Sequence, residues 1–289
     1  MQDKLKANLN IKTVNSNKNV DMKSEHDYIE INKNSWNNRT TFHLKSDFYD
    51  VAGFLNGNSS LNEIELKLFG SVKGKSILHL QCHFGQDTIS LSRLGAKTTG
   101  VDFSDKSIKS ANELAKKTGV DADFICCDIY DLPNHLNKKF DIVFTSYGTI
   151  GWLPDLNKWA KIVSKYLKPT GKFVFVEFHP VVWMFDDNFE NIEYNYFNSG
   201  AIIETESGTY ADKNANINQE YVMWNHGISE VVNSLINNKL EINSLNEYDY
   251  SPYNCFNKTV KYDHKKFRIE HLKNNIPMVY SIVAEKKNN

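Results

Sequence analysis

Residues 76 to 179 alternate short apolar runs with amphipathic stretches, and this alternation constrains the fold more than any other feature of the sequence. Five runs are typical of buried strands: SILHL, KTTGVDFS, ADFICCDI, FDIVFTSY and KFVFVEFHP. Three amphipathic stretches between them predict helices, at about 87–94, 105–117 and 156–167. Because strands that alternate with helices pair in parallel, we expect a doubly wound α/β sheet with helices on both faces.

Three glycines indicate where helices end, and the C-terminal half adds the remaining elements of the sheet. Gly95, Gly119 and Gly171 each follow a helical stretch, where a left-handed cap is expected. After Pro180 the alternation stops, and the aromatic segment 181–224 predicts no helix but a hairpin around Ser207-Gly208. A helix at about 227–238 and the strands LEINSLNEYDY and MVYSIVAEK follow. We therefore expect a mostly parallel sheet of seven strands with an antiparallel last strand and an insertion after strand five.

The segment before the sheet changes composition near residue 25. Residues 1–25 are polar and rich in Asn and Lys, and they predict a flexible leader. Residues 26–70 are richer in aromatic side chains and predict short helices that form an N-terminal lid. Residues 71–289 then form the main domain, in which we expect the insertion 181–224 to lie on the substrate side.

Charge and cysteine content narrow the class of partner. A net charge of -1 gives no global attraction to a phosphate backbone, which favours small-molecule partners over nucleic acid. The four cysteines show no CxxC spacing, and adjacent Cys126 and Cys127 cannot readily pair, so reduced thiols and a cytoplasmic protein are expected. Neither a signal peptide nor an apolar run of about 18 residues is evident, so no membrane association is predicted.

The turn after the first strand, from Gln81 to Gly85, carries side chains where such turns usually carry glycine. Ligands of open α/β sheets bind beyond the carboxyl ends of the strands, so this turn should form part of a binding site. Asp102 ends the second strand, where a carboxylate can accept from two vicinal ribose hydroxyls. Ser104 is the better helix cap, which leaves Asp102 free. The sequence Q-C-H-F-G-Q lacks the G-x-G-x-x-G that a nicotinamide oxidoreductase needs.

At these residues the chain resembles the class I S-adenosylmethionine-dependent methyltransferases, and within them a bacterial subgroup marked by HLQCHFGQDT. The first motif of the family usually reads acidic-x-Gly-x-Gly-x-Gly. ILHLQCHFG lies over it, with His79 at the acidic position, Gln81 and His83 at the first two glycines, and Gly85 at the third. GVDFS, CCDIYDLP, FDIVFTSYG and LKPTGKFVFVEFHP continue the resemblance over residues 70–180.

The resemblance implies the Rossmann-like methyltransferase fold and S-adenosylmethionine as cofactor. It implies that a methyl group passes to a small-molecule acceptor by in-line displacement, without a metal. Asp102 is then expected at the ribose and Asp128 at the adenine amino group. The complete expected set of cofactor-binding residues is His79, Gln81, His83, Gly85, Asp102, Phe103, Asp128, Ile129 and Ser146.

A protonated acceptor needs a base at the carboxyl edge of the sheet. His179 follows the fifth strand and is the first candidate, and His226, at the start of the later helix, is the second. Tyr147, at the end of the fourth strand, is a candidate catalytic hydroxyl, although it suits a pocket wall or donor better than a base because its reference pKa is about 10.

Aromatic side chains outside the strands predict the acceptor site. We expect five of them to converge over the sheet edge: Trp36, Trp152, Trp183, Trp224 and Tyr253. Arg39 either closes over the carboxylate of the cofactor or forms a surface ion pair. Two alternatives to a small-molecule enzyme remain, namely a non-catalytic module that binds the cofactor and a protein methyltransferase. A monomer and a homodimer are equally compatible with the sequence.

Overall fold

A computed structural model of the chain describes residues 25–287. Three helices precede the sheet: α1 (Glu25–His43), α2 (Val51–Leu55) and α3 (Glu63–Phe69). The leader predicted for residues 1–25 lies outside the described part except for its last residue. The sequence predicted only short helices here, whereas α1 runs for 19 residues, because one side of it packs along the insertion hairpin.

The sheet has seven strands in the order β3-β2-β1-β4-β5-β11-β8. Strands β1 to β5 pair in parallel, and β11 is antiparallel to both β5 and β8, which confirms the predicted fold class. The bounds of its strands are β1 (Ser76–Leu80), β2 (Lys97–Asp102), β3 (Ala122–Cys126), β4 (Phe140–Ser146), β5 (Leu167–Phe178), β8 (Leu240–Tyr248) and β11 (Val279–Lys286).

Helices cover both faces of the sheet. Their bounds are α4 (Gln86–Arg93), α5 (Asp105–Thr118), α6 (Leu156–Tyr166) and α7 (Ile228–Asn237). Helices α3, α4 and α5 contact one face, while α6 packs on β4 and β5 and α7 on β8. The largest core lies under α6 and α7 and contains Trp159, Phe173 and Phe175 without solvent exposure. Since apolar layers bury both faces, the sheet holds its strand ends in fixed positions.

Two of the three predicted glycine caps are correct and one is wrong. Gly95 and Gly119 have φ angles of 90° and 65°, in the left-handed region. Gly171 does not, and the left-handed residue of that turn is Thr170, at φ 57°. The glycine is needed for a different reason, because a Cβ at Gly171 would lie 2.8 Å from the carbonyl oxygen of Lys168.

Two hairpins lie outside the main sheet. The first joins β6 (Ile202–Ser207) to β7 (Asn218–Met223) within the segment 181–224. The hairpin predicted around Ser207-Gly208 is confirmed, since β6 ends at Ser207, and its connection spans residues 208–217. A 3₁₀ turn at Val182–Met184 is the one helical element that the structure shows in this segment.

The second hairpin consists of β9 (Thr259–Asp263) and β10 (Lys266–Ile269). It follows β8 and precedes β11 along the chain, in a segment where the sequence predicted no strands. Within residues 25–287, none of the helices is long and apolar enough to cross a membrane.

Candidate functional site

A cavity of about 1370 Å³ lies beyond the carboxyl ends of β1, β2, β4 and β5. Its floor is the sheet edge, and its roof comes from α1, the β6–β7 hairpin and the loop after β8. Small-molecule sites usually measure about 300–1,000 Å³. The cavity therefore has room for a nucleotide-sized ligand and a second molecule beside it.

The turn after β1 takes a backbone conformation that explains why glycine is usual in it. Gln81, His83 and Gly85 have φ angles of 55°, 51° and 81°, all in the left-handed region. A non-glycine residue in that region costs roughly 1–2 kcal/mol. Glycine is required at the third position because a Cβ there would lie 2.6 Å from the Phe124 ring and 2.9 Å from the Ala111 Cβ.

Hydrogen bonds hold the two strained residues in place. The Gln81 Nε2 donates to the Thr149 carbonyl oxygen at 2.8 Å. The His83 backbone N–H donates to Asp102 Oδ2 at 2.9 Å, and the His83 ring places Nδ1 3.0 Å from the Ser107 hydroxyl. The side chains thus tie the turn to its neighbours, which offsets the strain that two glycines would have avoided.

Asp102 lies buried at the end of β2, where it lines the cavity. Its Oδ1 accepts from the Ser104 backbone N–H at 2.9 Å, and Ser104 itself caps α5 by accepting from Ser107 N–H. The prediction that Ser104, and not Asp102, caps this helix is confirmed. Burial raises the pKa of Asp102 to about 6, although hydrogen bonds from backbone N–H groups act in the opposite direction. Backbone N–H groups of His83, Phe103 and Ser104 donate to this carboxylate, which has about four acceptor positions in all.

The remaining predicted floor residues also line the cavity. Asp128 follows β3, and its Oδ1 accepts from the Tyr130 backbone N–H at 2.7 Å, while burial raises its pKa. Phe103, Ile129 and Ser146 lie along the same edge of the sheet. The structure thus brings the whole expected set to one cavity.

Two buried polar atoms of the floor have no hydrogen-bond partner. His79 stacks on Phe144 and places its Nδ1 2.8 Å from the Thr88 hydroxyl, but its Nε2 is unpaired. Burial lowers the pKa of His79 to about 3, so the ring is neutral at physiological pH. The Oε1 of Gln81 is the second unpaired atom. Buried polar atoms without partners are rare in native proteins, and both of these residues line the cavity.

The three candidate catalytic residues have different surroundings. His179 does not line the cavity, because its side chain packs toward β8, with Nε2 2.8 Å from Glu247 Oε1 and Nδ1 accepting from Val181 N–H. It is therefore not brought together with the other site residues. His226 lines the cavity, but its Nε2 lies 2.8 Å from the Leu153 carbonyl oxygen and its Nδ1 3.0 Å from Glu230 Oε1.

Tyr147 lines the cavity, and its hydroxyl donates to Glu65 Oε2 at 2.9 Å. Glu65 is fully buried in the first turn of α3. Burial, and secondarily the charge of Asp87, raise its pKa to about 7. Sequence analysis missed Glu65, because Asn62 and Glu65 form a capping box and that spacing indicates a helix start rather than a site.

Asp87, in the first turn of α4, is a second carboxylate that sequence analysis missed. It lines the cavity, and burial raises its pKa. Its hydrogen-bond partners are the hydroxyls of Ser60 and Ser146, and the Ser146 hydroxyl lies 3.5 Å from Asp87 Oδ2. The only sequence signal was an acidic residue at a helix start, which is common in any protein.

The predicted aromatic residues all line the cavity. Trp36 and Trp152 meet edge to face at 5.3 Å, and Tyr253 meets Tyr147 in the same manner at 5.0 Å. Trp224 packs against Tyr28 of α1, and Trp183 against Phe256 of the loop that follows β8. The N-terminal helices, the insertion and the C-terminal loops therefore converge over the sheet edge.

Arg39 forms an ion pair, but the prediction of a surface pair is wrong. Its side chain is 4% exposed, and its Nη2 lies 2.7 Å from Glu206 Oε2 of β6. The rings of Trp36, Trp152 and Tyr221 stand 5.3–5.7 Å from the guanidinium carbon. The insertion hairpin covers this face of α1, so a charge that the sequence placed at the surface is enclosed.

Comparison with known proteins agrees with this architecture. A family model described as a methyltransferase domain matches residues 71–248, and the chain belongs to this family. The solved structure of an S-adenosylmethionine-dependent methyltransferase from Clostridium acetobutylicum has a TM-score of 0.54 at 17% identity, covering 84% of this chain and 93% of its own. One from Listeria monocytogenes has a TM-score of 0.53 at 20% identity, covering 78% and 97%. At these identities the structures show the fold alone.

Curated relatives match part of the chain. A ubiquinone biosynthesis O-methyltransferase from Idiomarina loihiensis is 29% identical over 136 residues, which are 46% of this chain and 56% of the relative. The enzyme of the same name from Coxiella burnetii is 30% identical over 135 residues, or 46% and 57%. The chain thus spans little more than half the length of the curated relatives that it matches.

Proposed function

We propose that this protein is an S-adenosylmethionine-dependent methyltransferase that acts on a small-molecule acceptor. The observation that carries the proposal is Asp102, a buried carboxylate at the end of β2 that faces a cavity large enough for two ligands. A carboxylate at this strand end can accept from the two vicinal hydroxyls of a ribose. The methyltransferase family to which the chain belongs supports the same assignment.

The residues around Asp102 fit the rest of this cofactor. Asp128 and Ile129 lie at the end of the neighbouring strand, at the position expected for the adenine. The unpaired Gln81 Oε1 and His79 Nε2 are available to polar groups of the methionine end. When bound, the cofactor supplies a methyl carbon that its sulfonium already makes electrophilic, so we expect turnover without an added metal.

The protein's task is then to orient the acceptor and exclude water. We assign this task to the closing shell, which we define as α1 to α3, the β6–β7 hairpin and the loops after β4, β5 and β8. Trp36 of α1, Trp152 and Trp183 give the shell an aromatic inner surface. Residues 26–70 in this proposal act as the lid, and residues 181–224 shape the acceptor side.

For a protonated acceptor we assign proton removal to Tyr147 with Glu65 behind it. Burial raises the pKa of the Tyr147 hydroxyl well above its usual value, so the phenol is neutral. A neutral phenol can accept a proton from the acceptor only while it passes its own to another base. Glu65 Oε2, at 2.9 Å and with a pKa of about 7, can hold that proton.

The acceptor class follows from two observations. The net charge of -1 favours a small molecule over nucleic acid. The cavity is lined by more aromatic side chains than a nucleotide alone requires. The curated relatives carry the name of O-methyltransferases, which supports an oxygen acceptor without identifying it.

We also propose a cytoplasmic location, which is supported by the four cysteines, all of them free. We propose that the protein is a monomer or a homodimer, and sedimentation analysis will distinguish the two.

Isothermal titration with S-adenosylhomocysteine tests the proposal. The wild-type protein should bind it, and Asp102→Asn should lose roughly 30- to 100-fold in affinity because one charged acceptor is lost. Asp123→Asn, an exposed carboxylate of β3, is the matched control and should bind normally. Absence of binding to the wild type rejects the proposed function. Binding without turnover on a pool of metabolites favours the non-catalytic module instead.

A further inference from the structure

The end of the cavity nearest α7 contains two buried polar atoms that the proposed mechanism does not use. They are the Oδ1 of Asn225 and the hydroxyl of Tyr280, and neither has a hydrogen-bond partner within residues 25–287. Asn225 is 3% exposed and Tyr280 is fully buried, and both residues line the cavity. Because buried polar atoms are nearly always paired in native proteins, two unpaired atoms in one lining indicate a ligand that completes their hydrogen bonds.

The contacts of Asn225 fix which atom of its amide lacks a partner. Its Nδ2 donates to the carbonyl oxygens of Pro180 at 3.2 Å and of Asn195 at 2.9 Å. Both donors of the amide nitrogen are thereby used, and a flipped amide would place its oxygen against two other oxygens. The Oδ1 is therefore an acceptor that lacks a donor.

The Tyr280 hydroxyl is a donor that lacks an acceptor. Tyr280 lies opposite Glu177 in the pairing of β11 with β5. The Glu177 carboxylate already accepts from the backbone N–H groups of residues 148, 149, 150 and 178 and from the Thr149 hydroxyl. Burial, and secondarily the charge of Glu177, raise the pKa of Tyr280 well above its usual value, so the phenol stays protonated.

Contacts near the start of α7 place the two unpaired atoms in the same neighbourhood. Glu230 Oε1 lies 3.0 Å from the Nδ1 of His226, the residue after Asn225. The charge of Glu230 also acts on the Tyr280 hydroxyl, and so does Tyr196. Tyr196 directly follows the residue whose carbonyl accepts from the Asn225 amide. The acceptor and the donor therefore lie around the same part of the cavity.

This part of the cavity is separate from the floor. Asp102 ends β2 and Tyr280 begins β11 with Val279, and in the order of the sheet these strands are four spacings apart, about 19 Å. Tyr280 packs in the core under α6 and α7, whereas Tyr147 packs with residues of α3 on the other face. A group bound between the two unpaired atoms thus meets neither the proposed ribose site nor the proposed route of proton removal.

One acceptor and one donor define the chemistry of the missing group. A carboxylate or phosphate cannot donate to the Asn225 oxygen, and an alkylammonium cannot accept from the Tyr280 hydroxyl. A hydroxyl does both with a single oxygen, and it carries no charge that burial would penalise.

We propose that Asn225 and Tyr280 form a subsite for a neutral hydroxyl group of the methyl acceptor. This hydroxyl is not the group that is methylated, because it lies on the other side of the cavity from Tyr147, and its role is to orient the acceptor. The inference rests on the proposed function, which supplies the acceptor. Asn225 and Tyr280 are then residues that determine specificity.

Three fluorinated probes and one substitution test the subsite by fluorine NMR titration. 4-Fluorophenol both donates and accepts, 4-fluoroanisole only accepts, and 4-fluorotoluene does neither. Each is added to protein saturated with S-adenosylhomocysteine. Tyr280→Phe removes the donor and keeps the ring. Tyr166→Phe is the matched control, because Tyr166 is buried in the same core but donates to the Leu136 carbonyl oxygen at 3.0 Å and lies outside the cavity lining.

The wild type should bind 4-fluorophenol about 10-fold more tightly than 4-fluorotoluene, with 4-fluoroanisole between them, because each hydrogen bond contributes roughly threefold. In Tyr280→Phe, 4-fluoroanisole should bind no better than 4-fluorotoluene, and the preference for 4-fluorophenol should fall to roughly threefold. Tyr166→Phe should keep the full preference. The melting temperature should fall for Tyr166→Phe but not for Tyr280→Phe, whose hydroxyl has no partner to lose.

The subsite is rejected if the wild type shows no preference for 4-fluorophenol, or if Tyr280→Phe keeps that preference in full. A lower melting temperature of Tyr280→Phe with an unchanged preference would show that the hydroxyl holds a structural water instead. Failure of the proposed function is a separate result, because the wild type then does not bind S-adenosylhomocysteine. The same probes, measured on the protein alone, still decide in that case whether a hydroxyl site exists.

Discussion

The floor of the cavity and its closing shell are built in different ways. The floor consists of residues that end a strand or begin a helix, and Gln81, Gly85 and Asp102 lie within 22 residues of one another. The shell is held by residues far apart in the sequence. Asn32 of α1 exchanges two hydrogen bonds with Val222 of β7, 190 residues away, and the Tyr49 and Tyr210 hydroxyls meet across 161 residues.

This difference shows where specificity for each ligand resides. The floor follows from strand and turn geometry, so it is shared by proteins of this fold and suits a common cofactor. Most of the shell lies in segments before residue 71 and after residue 180, and it depends on particular pairs of side chains. We therefore expect substitutions in the floor to act on local conformation, and substitutions in the shell to act on how the segments assemble.

The largest expected effect is in the floor. Gly85→Ala should lower the free energy of unfolding by about 4 kcal/mol, because the new methyl group overlaps the Phe124 ring and the φ of 81° is strained. Gly57→Ala is the control for strain alone, since its φ is 107° but nothing lies within 4 Å, and it should cost about 1 kcal/mol. Urea denaturation measures both, and equal losses would show that the floor is not tightly packed at Gly85.

The next effect is in the shell. Arg39→Met should lower the free energy of unfolding by about 3 kcal/mol, because it leaves Glu206 without its partner and removes the cation from three aromatic rings. Lys33→Met on the same helix removes an exposed pair with Asp105 and should cost less than about 1 kcal/mol.

Hydrogen exchange locates the effect of Arg39→Met. Backbone amides of β6 and β7 should lose protection in this variant, while those of β1 and β2 keep theirs. Protection lost equally in both regions would mean that floor and shell unfold as one unit, and the distinction between them would fail.

The third effect, which develops only as the pH rises, concerns the boundary between the two regions, where Glu65 of α3 meets Tyr147 of the sheet edge. The folded protein raises the pKa of Glu65 from 4.5 to about 7, so the native state binds more protons than the unfolded state between these values. Stability from this carboxyl is therefore present below pH 4.5 and is lost as the pH rises through 7. The loss is on the order of 3 kcal/mol, since each pKa unit of the shift corresponds to about 1.4 kcal/mol.

Glu65→Gln should remove this pH dependence, as measured by thermal or urea unfolding from pH 4.5 to 8. Glu63→Gln, two residues earlier and exposed, is the matched control and should leave the slope in place. A wild-type slope that survives Glu65→Gln must come from another group, such as the buried carboxyl groups of Asp102 and Glu177, whose pKa values are also raised.

Much of the fold could be predicted, and the errors have physical causes. The alternation of apolar and amphipathic segments predicted the strands and helices between residues 76 and 179, because each local pattern agreed with burial on a parallel sheet. The β9–β10 hairpin was missed because its strands have only five and four residues, too few for their alternation of polar and apolar side chains to stand out. Gly171 was misassigned because the same residue type serves a positive φ and a close backbone contact equally well.

The candidate site divides in the same way. Asp102 and Asp128 could be found because strand ends of a parallel sheet meet at one edge. Glu65 and Asp87 could not, since in sequence they are ordinary acidic residues of a first helical turn. His179 seemed equivalent to the strand-end residues, but it lies just after the last residue of β5, and its ring is held by Glu247 of β8 instead of facing the cavity.

The amino-acid sequence by itself determined the parallel sheet, its order of elements and the position of the cofactor edge, because these depend on periodicity and on residues close together in the chain. Tertiary structure alone decided which carboxylates are buried without a cation, which histidine faces the cavity and that Arg39 is enclosed. Those properties depend on segments that are far apart in the sequence, and burial, which sets charge and pKa, exists only after these segments meet.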